Sequence, residues 1–531
     1  MAFNLLAIEI NEHISSYLPT DRDVCNFRLT CKTTNAAVSS HRCGVWRALF
    51  ARRYDMLPGK TGLELKMLYQ IRARFLYKLP PIFHMGQESK EIRCMEHLRN
   101  LVVESYADKS IGCKAREPSK NIRELRRFML RTNFLDKILS RFYDGPNINP
   151  LLHTLQLVFT HWHLDHLLRN PTYGFSHSQH VVYAHPTNSP MFLDRDRFRV
   201  NIDFFLHTAN FFKYHMTSED EQTLYPLMRQ LEYDQKPRAW EGPIKQPRGV
   251  PLVKKLGSHW KGSYAYLDPE DMPHIREMPY TGHCLFTDNI DFQDGFQTLN
   301  LDFSHSASTA PWPRAFDSHL DALPSNPLCR TLHSLSKHKK RRFQDTNRIH
   351  HPLIDTTLDT SLETPPSSPG YIVHQTLTMP HRILPTSAED MPPTPTSPPP
   401  VLTPKKGVNY LQFAGSGNDT ERFQCSGIVH PLPPQHGIPG WQRVTIMKFF
   451  DPISSSSAGG MGGSTTPLTS DDGFELDDDV NINNGCWAYE GVVLPGGMIM
   501  LGRWWSPVDD MEERHCMGPF VFWNVDGEEG Q

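Results

Sequence analysis

The sequence is short of several things that would place a protein quickly. Its ten cysteines, at 25, 31, 43, 94, 113, 284, 329, 425, 486 and 516, form no CxxC pair and no zinc-finger spacing. That argues against a disulfide framework or a structural zinc site, and it fits reduced thiols in the cytoplasm or nucleus. No run approaches the ~18 apolar residues of a membrane span. Glu9 and Glu12 interrupt the only apolar stretch near the N-terminus, so no secretory leader is expected. Charge of one sign is scarce: 55 Lys and Arg against 58 Asp and Glu give −3. Neither nucleic acid nor a membrane surface is therefore an expected partner. No Ser/His/Asp arrangement, paired-carboxylate signature or phosphate loop stands out, Gly496-Gly497 reads as a turn, and no cofactor is expected.

What is present is organisation. A chain of 531 residues suffices for two or three domains. In the N-terminal stretch, Leu6, Ile10, Ile14 and Leu18 recur every four residues and line one helical face. Pro19 stops that helix, and Thr20-Asp21-Arg22-Asp23 reads as a capping box opening a second one. Val24, Phe27 and Cys31 continue at helical spacing, and a third short helix carries Val45, Trp46, Leu49 and Phe50. Three short helices make a core that is marginal alone below ~60 residues, so the unit needs a partner or the rest of the chain.

This stretch resembles an F-box. The residues that carry the resemblance are Leu6, Ile8-Glu9-Ile10, Tyr17-Leu18, Asp21 or Asp23, Arg28, Cys31-Lys32 and Trp46. Ala7 stands where the family pattern has proline, a residue that usually packs against the adaptor. The resemblance implies docking to the Skp adaptor of a cullin–RING ubiquitin ligase through Leu6, Ile8, Ile10, Ile14, Leu18, Cys31 and Trp46.

Residues 55–249 read as a helical middle region. Leu65, Leu68, Ile71 and Phe75 mark one helix, and Leu125, Phe128, Met129, Leu135, Ile138, Leu139 and Phe142 mark another. Asn149-Pro150 reads as a helix start, with Leu152, Leu155, Phe159 and Trp162 on its stripe. Ser218-Glu219-Asp220-Glu221 predicts a capping box before Leu224, Leu227, Met228 and Leu231.

From 250 to 303 the texture turns to short strands, over Trp260–Leu267 and around Leu299, Leu301 and Phe303. Residues 304–406, with twelve prolines between 361 and 404, read as a disordered insertion. Inside it, Lys337–Arg342 is either a nuclear-import signal or a solvated basic loop. Thr364, Ser368, Thr394, Ser397 and Thr403 each precede proline, which suits proline-directed kinases or a rigid tether. Residues 407–531 return to β texture. A strand ends Gly437–Ile446, a hairpin runs Trp487–Leu494, Pro495-Gly496-Gly497, Met498–Trp505, and Phe520, Phe522 and Trp523 close the chain. The two β stretches read as one domain split by the insertion, which loop closure penalises only weakly.

The runs WKGSYAYLD, GIPGWQR and WAYEGVVLPGGMIMLGRWW resemble a group of fungal F-box proteins, whose β domain is similar to that of the F-box only protein 31 family. The fold class expected is α+β: a three-helix F-box, a helical middle, and a split antiparallel β-barrel-like domain interrupted by a disordered linker. The resemblance implies a substrate receptor, not an enzyme, whose β domain captures a protein by a peptide end. Trp260, Tyr264, Trp441, Tyr489 and Trp504 are the candidate anchors and Arg503 the candidate polar handle. Each aromatic also suits an ordinary sheet core.

One motif competes. Thr160-His161-Trp162-His163-Leu164-Asp165-His166 has the HxHxDH spacing with which metallo-β-lactamase-fold hydrolases hold zinc and activate water. In that reading Leu155–Phe159 is the preceding strand, and His185, His283 and Asp288 are later ligands. The helix start at Asn149-Pro150 opposes it, because on a helix His161 and His163 point about 200° apart.

Overall fold

The capping box forms as the sequence predicts. In a computed structural model, the Thr20 hydroxyl accepts the Asp23 N–H at 3.1 Å, and the Asp23 carboxylate accepts the Thr20 N–H at 3.2 Å. The structure describes residues 2–40, 43–106, 119–135, 148–164, 174–238, 256–277, 286–290, 295–303, 411–419, 421–450, 486–506 and 516–526. The expected linker at 304–406, the basic run Lys337–Arg342, the proline-flanked Ser and Thr, and Ile138, Leu139 and Phe142 lie outside these residues.

The N-terminal module has four helices rather than the three expected. They are α1 (Ile8–Tyr17), α2 (Asp21–Arg28), α3 (Lys32–Ser39) and α4 (Gly44–Arg53). Cys31 does not continue α2. Its backbone is extended, at φ −162°, and it caps α3, with the Thr34 hydroxyl accepting the Cys31 N–H at 3.0 Å. The core gathers Val24, Phe27, Val38, Val45, Trp46, Leu49 and Phe50.

The middle region follows as α5 (Gly62–Arg72), running into a π-helical turn at Ala73–Lys78, then α6 (Ser89–Ser105), α7 (Lys120–Met129), α8 (Pro150–Val158), α9 (Thr160–His163), α10 (Phe175–Tyr183), α11 (Ile202–Thr217) and α12 (Leu224–Gln230). Asn149 caps α8, with Pro150 in its first turn, as expected. The Ser218–Glu221 box does not form. Ser218 ends α11, and Glu221 turns to His215 and to the Thr223 hydroxyl.

Buried ion pairs tie the N-terminal module to the helices that follow it. The buried Glu124 carboxylate binds Arg53 at 2.9 Å and Arg127 at 2.7 Å and accepts the Tyr77 hydroxyl. Asp55 accepts the Lys120 N–H at 3.0 Å and the Ser119 hydroxyl. Arg72, itself buried, pairs with Glu104. Charges taken out of water hold their places only when paired and hydrogen-bonded, so this network fixes α4 to α5, α6 and α7.

The C-terminal part is a closed antiparallel barrel: β1 (His259–Tyr264), β2 (Gln297–Asp302), β3 (Leu411–Asn418), β4 (Arg422–Pro431), β5 (Gln442–Phe450), β6 (Cys486–Val493), β7 (Ile499–Trp505) and β8 (Met517–Asn524). A short helix, α13 (Asp271–Glu277), follows β1. Each strand pairs with its sequence neighbours, and β1 closes on β8 with Gly262 opposite Phe522. Asp302 of β2 sits opposite Ala414 of β3, so the barrel joins across the long insertion as a hairpin would. The β6–β7 turn uses Gly496 and Gly497 at φ +103° and +71°, where a side chain would be strained.

Trp260, Leu299, Phe413, Val444, Tyr489, Met500, Phe520 and Phe522 fill the interior. The opposite faces of β7 and β8 pack on α10 and α11, so every residue of these two strands is buried. Such strands read as continuous rather than alternating apolar runs. Helices and barrel belong to one compact unit, with α10 and α11 as a packed layer on the barrel. Among the described residues no helix is long and apolar enough to cross a membrane.

Candidate functional site

The first candidate surface is on α1. The helix buries its polar residues Asn11 and Ser15, not its isoleucines. The Asn11 amide donates to the Phe3 carbonyl at 3.1 Å, which pins the chain entering the helix. Ile8 is 40% and Ile10 48% exposed, while Leu6, Ile14 and Leu18 are half-buried. The expected four-residue stripe is therefore divided, with Ile14 and Leu18 packed against the core and Ile10 turned outward. Leu5, Tyr17 and Leu29, exposed at 89%, 72% and 83%, add apolar surface that the stripe did not include. Cys31 is half-buried as the α3 cap. Trp46 is a correction: it is 5% exposed, with its indole donating to the Val38 carbonyl at 3.1 Å, so it packs the module rather than facing outward.

Five of the six candidate substrate-binding residues in the barrel are core residues. Trp260 is buried and donates to the Gly257 carbonyl at 2.8 Å. Trp441 and Tyr489 are buried, Tyr489 against the ring of Phe520. Trp504 is buried against Tyr264 and Trp487 and donates to the Ala265 carbonyl at 3.1 Å. Tyr264 alone is half-buried, at the end of β1. Arg503 is 2% exposed, and its guanidinium is a structural clamp. It donates to the carbonyls of Val182 (3.1 Å), Ser189 (2.8 Å), Val181 (3.1 Å) and Ala184 (3.1 Å). A cation at the carbonyl end of α10 also meets the negative end of the helix dipole. It is therefore not available as a peptide's polar handle.

One edge of Arg503 nevertheless reaches a pocket of about 170 Å³ on the outer wall of the barrel. The connection between α10 and α11 supplies Pro186, Met191, Phe192 and Arg197, and the strands supply Glu490, Arg503, Trp505 and Met517. Glu490 is the chemical centre. Arg443 reaches its Oε1 through Nε at 2.7 Å and Nη2 at 2.6 Å. Arg197 binds both carboxylate oxygens. Burial opposes ionisation of Glu490, but the two guanidinium groups outweigh it and hold its carboxyl below the usual range. Nothing in the spacing of the sequence brings Arg197 to Glu490, since 293 residues separate them.

Of the HxHxDH ligands only the His161 side chain is described, so the string as a metal site lies outside the described residues. Leu155–Phe159, needed as a strand, is the end of α8 and its cap, and no strand precedes β1 among the described residues. His161 is fully buried, and burial holds its ring down to about 4, hence neutral. His163 ends α9, and its side chain, like Asp165, His166 and His283, lies outside the described residues. His185 binds the Thr187 hydroxyl at 2.7 Å. Asp288 sits elsewhere, accepting from Tyr183 (2.9 Å), Gln179 (2.8 Å) and His215 (3.2 Å). No group of three His, Cys, Asp or Glu side chains suited to a metal ion occurs among the described residues.

Comparison with protein-family models, curated proteins and solved structures gives no match.

Proposed function

We propose that the chain is a substrate receptor of a Skp–cullin–F-box ubiquitin ligase, acting in the cytoplasm or nucleus. The observation that carries this reading is the apolar surface left on α1 by Ile10 and Tyr17, which share one face at i and i+7, with Leu5 and Ile8 exposed at the start of the helix. A small module that buries Asn11 and Ser15 while exposing isoleucines presents a surface suited to a partner. The motif residues Ile8, Glu9 and Ile10 are all exposed around the first turn of α1, and Ala7, in the place of the family's proline, has φ −56°, close to the angle a proline ring fixes. The Glu124 network favours the role, because a receptor must hold its captured protein at a set distance from the ligase. The chain performs no chemistry itself in this reading; it raises the effective concentration of a bound protein near the transferring enzyme. The barrel and the helical layer over it are the recruiting part, and the pocket at Glu490 is its recess.

The test is a pull-down of the purified chain with the Skp adaptor, beside a variant carrying Ile8→Asp and Ile10→Asp. Both positions are exposed, so the variant is expected to fold and to lose the adaptor. Binding that survives both charges, or a parent chain that does not bind, removes the proposal.

A further inference from the structure

Arg197 occupies the Glu490 pocket in an unusual way. It sits at the tip of the short hairpin closed by Phe192 and Val200, with φ +57°, a left-handed conformation that non-glycine residues adopt at a cost. Strain of this kind persists where the surrounding contacts over-determine it, and here the turn's own hydrogen bonds, Arg197 N–H to the Asp194 carbonyl at 3.2 Å and Arg199 N–H to the Asp194 carboxylate at 2.9 Å, act together with the ion pair to Glu490. The two arginines at that carboxylate are not equivalent. Arg443 rises from the barrel wall, is fully buried, and grips Oε1 with two nitrogens. Arg197 comes from a loop, keeps 22% of its side chain exposed, and donates to Oε2. Removing Arg443 leaves Glu490 held only by the partly exposed Arg197, whereas removing Arg197 leaves it paired with the buried Arg443 and with Oε2 facing the pocket. The recess beside it has Phe192 and Trp505 in its walls; the Phe192 ring already carries the Arg443 guanidinium at 5.7 Å, which shows that this wall accepts a planar cation. Asp194 adds a second carboxylate to the lining.

We propose that Arg197 is an internal stand-in, and that the pocket at Glu490 takes the arginine side chain of a partner protein in its place. An incoming guanidinium forms the same pair with Oε2 while Arg443 keeps Oε1 satisfied. The inference rests on the receptor reading and names its substrate class, a peptide with an exposed arginine. The adaptor surface on α1 is made of other residues, so the two proposals fail separately.

The test uses the full chain with two small probes, N-acetyl-arginine methylamide and N-acetyl-glutamate methylamide, titrated by calorimetry or ligand-observed NMR. The variant is Arg197→Gly, which empties the place and suits a positive φ, so the hairpin is expected to fold. Displacing a resident side chain taxes apparent affinity, and its removal is expected to raise affinity for the arginine probe about tenfold or more. The glutamate probe is expected to bind neither form. Equal arginine affinity in parent and variant overturns the proposal. So does glutamate binding by the parent that is lost in the variant, since it would make Arg197 the attracting group. Adaptor pull-down with Arg197→Gly, expected to match the parent, keeps the outcome separate from failure of the α1 surface.

Discussion

At the scale of single residues, the side chains most informative in the sequence are engaged in work the sequence does not display. Arg503 stands beside two tryptophans at the end of a strand and reads as a surface handle, yet it donates to three carbonyls at the end of α10 and to that of Ser189 in the connection beyond it. Arg503→Met leaves those carbonyls buried and unmet, and unmet polar groups cost about 1–3 kcal/mol each. A loss of at least about 4 kcal/mol is expected by urea denaturation, with Arg503→Lys recovering little because an ammonium cannot reproduce the fork. His215 lies between Glu221 at 3.1 Å and Asp288 at 3.2 Å. Burial disfavours its charge, but hydrogen bonds to the two carboxylates outweigh that and raise its pKa above the ordinary value of 6.5. The folded state therefore binds this proton more tightly than the unfolded state. The stabilisation is complete below about pH 6.5 and is lost as pH rises through the folded pKa. Thermal midpoints taken from pH 6 to 9 should fall in the parent and fall less in His215→Gln. Burial moves His161 to about 4 and His430 to about 3, and these act in the opposite direction. Their contribution is complete above about pH 6.5 and fades as pH drops toward those values.

At the scale of elements, the signals that survive are those written in adjacent residues. The Thr20 box and the Asn149-Pro150 start are local chemistry, and both form. Thr20→Ala is expected to cost about 1 kcal/mol, read as a lowered denaturation midpoint. The Ser218–Glu221 box has the same letters and fails because Ser218 is already the end of α11, a fact fixed by packing rather than by spacing. That helix left little trace, since Phe204, Phe205, Phe211 and Phe212 are buried on several sides and leave no one-sided stripe. The β6–β7 hairpin was legible from its turn glycines. β3 and β4 were not, because Gly415, Gly417 and Gly427 thin their alternation where neighbouring rings and backbone need the space. The aromatic anchors failed for a related reason. Alternation tells which residues share a face, but not that the barrel is closed over one face and the helices over the other. The clustering of Arg197 with Glu490 had no local signal of any kind.

At the scale of the whole molecule, the barrel is assembled from two stretches of chain, β1 and β2 from one and β3 to β8 from the other. Because β2 and β3 are hydrogen-bonded neighbours in register, the connection between them needs only hairpin length. Replacing residues 304–410 by a loop of about eight residues is expected to leave the barrel intact and stabilise it by about 2 kcal/mol, from loop-closure entropy. Unchanged circular dichroism with a raised denaturation midpoint checks this. Closure itself has a further consequence. The ring is sealed by β8 against β1, the last strand against the first. During translation the nascent barrel therefore carries two bare edges, on β1 and β7, until the codons for Met517–Asn524 have been read. Bare edges recruit other strands, and chaperones and proteases act on such species. A message cut short by a stop codon anywhere ahead of that strand yields a product that stays unsealed, so the architecture itself marks unfinished copies for removal.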